Sequence, residues 1–166
     1  MAFLLKRVAA RVVCLDPERR VLLISAADPA DRSKLPWWEL PGGGLDPGEL
    51  HTHAIERELL EEAGIEGAEI GPCIWTQHAR FRFAGWDFDQ HERIHVATCS
   101  GEVTAATRLE AFEAAAFRGQ RWWPLAELLA SDEPTVPPRL REFIAPIVAG
   151  DYPAEPIDIS PADGAP

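Results

Sequence analysis

The sequence predicts an α/β layered domain with a mixed sheet, and three observations carry that reading. The chain has 166 residues, 46% hydrophobic and 26% charged, a size that suits one domain with its own core. Short β-branched runs alternate with helical patterns along the chain instead of forming a separate block. One segment, residues 50–63, has a clear helical period closed by Gly64, a natural C-terminal stop.

In chain order, residues 8–15 are apolar and β-branched and are bounded by Asp16-Pro17, which predicts a buried strand. Asp16-Pro17-Glu18-Arg19 turns the chain, and residues 21–24 run back as a second strand. Residues 26–35 are polar around Pro29 and predict an exposed loop. Trp37-Trp38-Glu39-Leu40 predicts a short strand stopped by Pro41 and by Gly42, Gly43 and Gly44. A loop over residues 45–48 then leads into the helix. Beyond Gly64, residues 68–83 and 93–100 predict two strands, with the polar stretch 85–90 turning between them. Residues 110–120 predict a loop or short helix, Trp122-Trp123-Pro124 a last short strand, and residues 125–130 a short helix. Residues 137–149 predict a terminal helix, with Leu140, Phe143, Ile144 and Ile147 at i, i+3, i+4 and i+7. Residues 151–166, rich in Pro, Asp and Ala, predict a disordered acidic and proline-rich tail beyond one domain over residues 1–150.

Composition excludes several classes of function. A formal charge of −11 argues against bulk capture of a nucleic acid polymer or an anionic membrane, both of which need a basic footprint. A polyanionic small molecule stays open, provided a divalent cation offsets the field. No stretch reaches the roughly 18 apolar residues of a membrane span, and residues 1–6 lack the apolar core of a secretory signal. Cys14, Cys73 and Cys99 form no CxxC pair and sit in apolar runs, as free cysteines in a reducing cytoplasm do.

The chemistry concentrates in residues 43–65. On the helix, Glu58, Glu61 and Glu62 stand at i, i+3 and i+4, so three carboxylates share a face. Ile55, Leu59, Leu60 and Ala63 gather on the neighbouring arc. Only Arg57 is adjacent to neutralise the acids. Like charges at this spacing cost an isolated helix about 0.2–0.5 kcal/mol, so a plain solvated face is the commoner meaning of such a pattern. Three features point elsewhere. Hard oxygen donors one turn apart are what Mg²⁺ or Mn²⁺ takes. The glycine run before the helix lets backbone approach a ligand closely. Glu49 adds an acid near the positive helix end.

Gly43, Glu49 and Arg57-Glu58-Leu59-Leu60-Glu61-Glu62-Ala63-Gly64-Ile65 fill every defined position of a pattern that resembles the Nudix box, G-x5-E-x7-R-E-U-x-E-E-x-G-U with U apolar. The resemblance implies an α/β/α sandwich with a mixed β-sheet between helices. It also implies hydrolysis of the pyrophosphate linkage in a nucleoside diphosphate derivative, such as a nucleoside triphosphate or nucleotide sugar, by water attack at phosphorus. Mg²⁺ or Mn²⁺ would be held by Glu58, Glu61 and Glu62, with the carbonyl of Gly43 as a further ligand. Glu58 is then a candidate general base, Arg57 orients the carboxylates, and Glu49 supports the loop. Glu92 and Glu113 are candidates for an extra acid from downstream, and a homodimer is common for this type of fold. A catalytically silent nucleotide-binding or sensor module is the alternative, disfavoured because all the box acids are present.

Outside the box, Arg80 and Arg82 could meet phosphate or ribose, and Trp86 and Phe88, in a polar stretch, could stack on a base. His51, His53, His78, His91 and His95 could suggest another metal site, but the sequence gives them no suitable partners. The proline or tyrosine signatures that mark substrate subclasses of such enzymes are missing past the box, which leaves the subclass unassigned.

Overall fold

The protein is represented by a computed structural model that describes residues 3–101, 109 and 111–162. Strand β1 (Leu4–Leu15) shows how the layers arise. A strand alternates its side chains between two faces; Ala10, Val12 and Cys14 enter one hydrophobic cluster and Val13 and Leu15 the other. Helix α1 (His51–Ala63) covers the first cluster with Ala54, Ile55, Leu59 and Ala63. Leu128 of α3 (Leu125–Ala130), with Leu140, Ile144 and Ile147 of α4 (Leu140–Val148), covers the second. The sheet therefore lies between helices, as the resemblance implies.

The remaining elements are β2 (Val21–Ala26), β3 (Trp37–Glu39), β4 (Gly42–Gly44), β5 (Glu69–Phe83), β6 (Trp86–Thr98), α2 (Ala111–Ala116), β7 (Phe117–Trp123), β8 (Thr135–Val136) and β9 (Ile157–Asp158). The strand order is β8-β3-β2-β1-β6-β5-β9, with β4 paired to β1 and β7 to β2. β1 runs parallel to β6 along its whole length, whereas β2 and β4 are antiparallel to it. β2 meets β1 only at Leu15↔Val21, and β4 takes over that edge at Ala9, Ala10 and Arg11. The sheet splits there into a β1-β6-β5 half and a β2-β3-β7 half. Among the described residues, no helix is long and apolar enough to cross a membrane.

Three expectations need correction. Gly42, Gly43 and Gly44 do not merely stop a strand; they form β4, which shows no hydrophobic period because glycine has no side chain. The polar stretch 85–90 is not a turn. The chain reverses at Ala84-Gly85, both at positive φ (51° and 85°), the geometry of a two-residue hairpin, and Asp87, Asp89 and Gln90 already belong to β6. Residues 151–162 are not a disordered tail: β9 pairs in parallel with β5, and Ile159 is fully buried in the α3–α4 cluster. Composition hides this because one apolar side chain and an open sheet edge suffice to anchor a polar segment. Residues 163–166 and residue 110, part of the expected 110–120 element, lie outside the described residues; 111–116 are helical and 117–123 a full strand.

Candidate active site

Helix α1 is tied at its end by Gly64, whose N–H donates to the Leu60 carbonyl at 2.9 Å and whose left-handed φ of 64° lets the next N–H, of Ile65, reach the Leu59 carbonyl at 3.1 Å. The apolar arc docks on the sheet and carries Glu58 and Glu62 down with it, leaving them only 2% and 9% exposed. Arg57 clamps the surrounding acids. Its Nε and Nη2 each donate to Glu49 at 2.9 Å, and Nη1 donates to Glu58 at 3.0 Å and Glu61 at 3.4 Å. Nη2 also donates to the carbonyl of Gly44 at 3.2 Å, which fixes the glycine strand to the helix. Glu49 in turn accepts the backbone N–H of Asp46. Both oxygens of Glu49 are thus engaged, so it acts as a bracket for the loop. The hydrogen bond from Arg57 holds the Glu49 carboxyl below its ordinary range, and the hydrogen bond to Glu49 raises the Arg57 guanidinium further.

Glu58 and Glu62 are in the opposite situation. Burial pushes the Glu58 carboxyl upward against the pull of Arg57, and burial together with the charge of Glu58 pushes Glu62 well above the ordinary range. One oxygen of each, Oε2, is buried without a hydrogen-bond partner among the described residues. Buried carboxylate oxygens without donors are costly unless a cation meets them. Oxygens of Glu58, Glu61 and Glu113 lie within 4.8 Å of one another. A Cβ on Gly43 would stand 2.7 Å from Glu58 Oε1, so only glycine leaves that space open. An all-oxygen donor set of this kind fits Mg²⁺ or Mn²⁺.

Glu62 and Glu113 border a cavity of about 360 Å³ in the split of the sheet, lined on its apolar side by Trp37, Phe81, Phe83 and Phe117 and on its polar side also by Gln77. That volume is in the range of small-ligand sites. The structure sorts the residues singled out in the sequence. Glu113, from α2, joins Glu58 and Glu61. Glu92 does not: its carboxylate is taken up by Arg11 Nε at 2.9 Å, Gln77 Nε2 at 3.1 Å and Gln90 Nε2. Burial alone would lower the Arg11 guanidinium, but the charge of Glu92 keeps it raised, and the pair is a sealed part of the wall. Arg80 and Arg82 reach the cavity rim while pairing with Asp89 and Asp87. Trp86 and Phe88 do not line it. Trp86 packs edge-on against Phe3 on the surface, and Phe88 is buried in a stack with Phe81 beneath Arg7. The sequence reading ranked Trp86 and Phe88 above Trp37, Phe81 and Phe83 as stacking residues and missed Gln77. The period-two spacing of Gln77, Phe81 and Phe83 would have placed them on one face once the hairpin turn was located correctly.

A match to the NUDIX domain covers residues 5–146, and the chain belongs to the NUDIX family. A Bacillus subtilis protein provisionally named 8-oxo-dGTP diphosphatase is 41% identical over 71 residues, 43% of this chain and 44% of that protein. An RNA pyrophosphohydrolase from Erythrobacter litoralis is 46% identical over 52 residues, 31% of each chain. The matched stretches thus span less than half the length of these curated relatives. Among solved structures, a NUDIX hydrolase from Nitrosomonas europaea superposes with a TM-score of 0.60 at 21% identity, covering 90% of this chain and 94% of that one. That likeness is one of fold.

Proposed function

We propose that the chain hydrolyses the pyrophosphate linkage of a small nucleoside diphosphate derivative, a nucleoside triphosphate or nucleotide sugar, with Mg²⁺ or Mn²⁺ as cofactor. The observation that carries this reading is the pair of donor-less buried oxygens on Glu58 and Glu62 beside the convergent oxygens of Glu58, Glu61 and Glu113, at the wall of an aromatic cavity. Glu58, Glu61, Glu62 and Glu113 would hold the cation, with the Gly43 carbonyl as a further ligand. Bound there, the cation screens the phosphates and lowers the pKa of coordinated water. The chain's own groups do the positioning on which phosphoryl transfer depends. Arg57 fixes the carboxylates, Gly43 leaves room for a phosphate, the aromatic walls hold the base, and Arg80 and Arg82 stand where phosphate or ribose oxygens emerge. Glu58 is the candidate to accept the proton of the attacking water, as the resemblance implies.

One relative is named for 8-oxo-dGTP and the other for RNA, and both names support cleavage of a phosphoanhydride bond. The charge of −11 favours a small molecule over a polymer, and the free cysteines suit a reducing cytoplasm. The test is phosphate release with Mg²⁺ from a panel of ADP-ribose, nucleotide sugars, dinucleoside polyphosphates and normal and oxidised nucleoside triphosphates, with Glu58→Gln and Glu62→Gln run alongside. Metal-dependent turnover lost in both variants supports the proposal. A silent panel with calorimetric nucleotide binding would overturn it in favour of a binding module.

A further inference from the structure

Neither Cys14 nor Cys99 lines the cavity, and the proposed hydrolysis uses neither. Cys14 is near the end of β1, in register with Ala97 of β6, and Cys99 lies one residue past the end of β6. Both side chains turn to the face of the sheet that α1 covers. Cys14 is fully buried in the cluster with Ile55, Leu59 and Ala63, and Cys99 packs against that cluster while only partly buried. The Cys14 S–H donates to Cys99 Sγ at 3.7 Å. Cys73 is apart from them on β5, its S–H donating to the carbonyl of Trp75 at 3.4 Å.

The backbone holds the two sulfurs together. The N–H of Cys99 donates to the carbonyl of Leu15 at 3.0 Å, which continues the β1–β6 pairing past its last register pair, Leu15↔Thr98. Two residues on, Gly101 lies against the Asp16–Pro17 turn, where an added Cβ would meet Pro17 Cδ at 3.2 Å and Asp16 Cβ at 3.3 Å. The two thiols differ in character. The hydrogen bond from Cys14, helped by the backbone N–H of Gly101, holds the Cys99 thiol below its ordinary range in spite of partial burial. The same hydrogen bond, with burial, pushes the Cys14 thiol up. Packing of a small apolar side chain accounts for the burial of Cys14. It does not account for a partly exposed thiol with thiolate character set against a protonated one, the arrangement in which the first is oxidised and the second resolves it.

We propose that Cys14 and Cys99 form a site of reversible oxidative modification, closing an intramolecular disulfide when the folded chain meets hydrogen peroxide. The Cys99 thiolate attacks one peroxide oxygen, the O–O bond breaks, and Cys99 becomes a sulfenic acid. The departing hydroxide takes up the proton that Cys99 released and becomes water. The Cys14 sulfur then attacks the Cys99 sulfur, the S–O bond breaks, and the Cys14 proton leaves with the hydroxyl as a second water. Two thiols thus lose two electrons and one peroxide gains them. To reach the roughly 2.05 Å of a disulfide the sulfurs close by less than about 2 Å. The bond joins residues 85 apart in sequence and ties β1 to β6 beneath α1, so it stabilises the fold by constraining the unfolded chain.

The experiment exposes the folded full chain to hydrogen peroxide, then counts thiols in denaturant, maps peptides without reduction and measures Tm by calorimetry. No substrate is added, so the outcome is independent of the proposed hydrolysis. The expected result is a fall from three free thiols to one, with Cys14 linked to Cys99, Cys73 left free, and all three thiols restored by dithiothreitol. Oxidation raises the Tm by about 5–15 °C, and reduction reverses the rise. Cys99→Ser and Cys14→Ala each lose the link and the rise in Tm, whereas Cys73→Ser keeps both. Three thiols persisting after peroxide, pairing through Cys73, or Cys99 carried to a sulfinic acid with Cys14 still free overturns the proposal. So does a link that forms only with loss of the cooperative thermal transition.

Discussion

Glu62 lies on the buried face of α1 beside Leu59 and Ala63, with one oxygen lacking a partner among the described residues and with Glu58 one turn away. Its carboxyl is raised by burial and by that like charge. A raised carboxyl is accommodated while neutral, and the stability it leaves intact at acid pH is lost as pH rises through its folded-state pKa. Glu62→Gln should therefore raise the Tm of the metal-free protein near neutral pH by about 2–4 °C, for a gain on the order of 1 kcal/mol. The gain should shrink on acidification. Added Mg²⁺ should raise the Tm of the unaltered chain and not of the variant, which differential scanning calorimetry checks. Asp28 has the opposite sign. Burial would raise its carboxyl, but the Lys34 ammonium and the N–H groups of Ala30 and Ala84 outweigh burial and hold it low. Its contribution is present above the ordinary carboxylate range and fades as pH falls through the lowered pKa. Asp28→Asn should lower unfolding free energy in urea by about 1–3 kcal/mol near neutral pH, with the difference closing at strongly acid pH.

At the scale of elements, β4 is where the backbone decides the outcome. Gly42 has φ of +142°, and a Cβ there would stand 2.2 Å from the carbonyl oxygen of Ala10, an atom of the neighbouring strand that cannot move aside. Gly42→Ala should destabilise by at least about 3 kcal/mol through overpacking and strain. At Gly43 the obstructed atom is the mobile end of Glu58. Gly43→Ala should keep the fold, within about 1 kcal/mol, and reduce turnover by about a hundredfold, because the carboxylate is pushed from its place. Parallel urea curves and initial rates separate the two cases. The same elements show what a sequence can express. The acids of α1 were legible because a helix repeats every 3.6 residues and fixed spacings put Glu58 and Glu62 on one face. β4 was illegible because glycine carries no pattern. The polar start of β6 was read as a turn because Asp87, Asp89 and Gln90 look like turn residues until the hairpin and β1 bring them partners across strands, in Arg82, Arg80 and Arg7. Glu113 could be named only as a candidate, since its meeting with Glu58 depends on how α2 returns to the sheet.

At the scale of the molecule, one split in the sheet sets the site. β1 changes partner from β2 to β4, the two halves part, and the cavity opens beside the carboxylates of α1. The C-terminal segment closes the far edge: β9 extends the sheet at β5, Ile159 fills the α3–α4 core, and Arg139 donates to the carbonyl of Ser160. Ile159→Ala should lower stability by about 2–5 kcal/mol, whereas Ile157→Ala, at an exposed position of the same segment, should stay within about 0.5 kcal/mol. Denaturant unfolding of both variants reads the difference.

The measurement that tests the central claim most directly is Mn²⁺ binding by electron paramagnetic resonance in the unaltered chain, Glu58→Gln and Glu62→Gln, paired with hydrolysis rates on the same samples. The account predicts that the unaltered chain binds Mn²⁺ and turns over substrate, and that both properties fall together in each folded variant. Hydrolysis that persists in either variant, or that survives removal of divalent cations by a chelator, would contradict it.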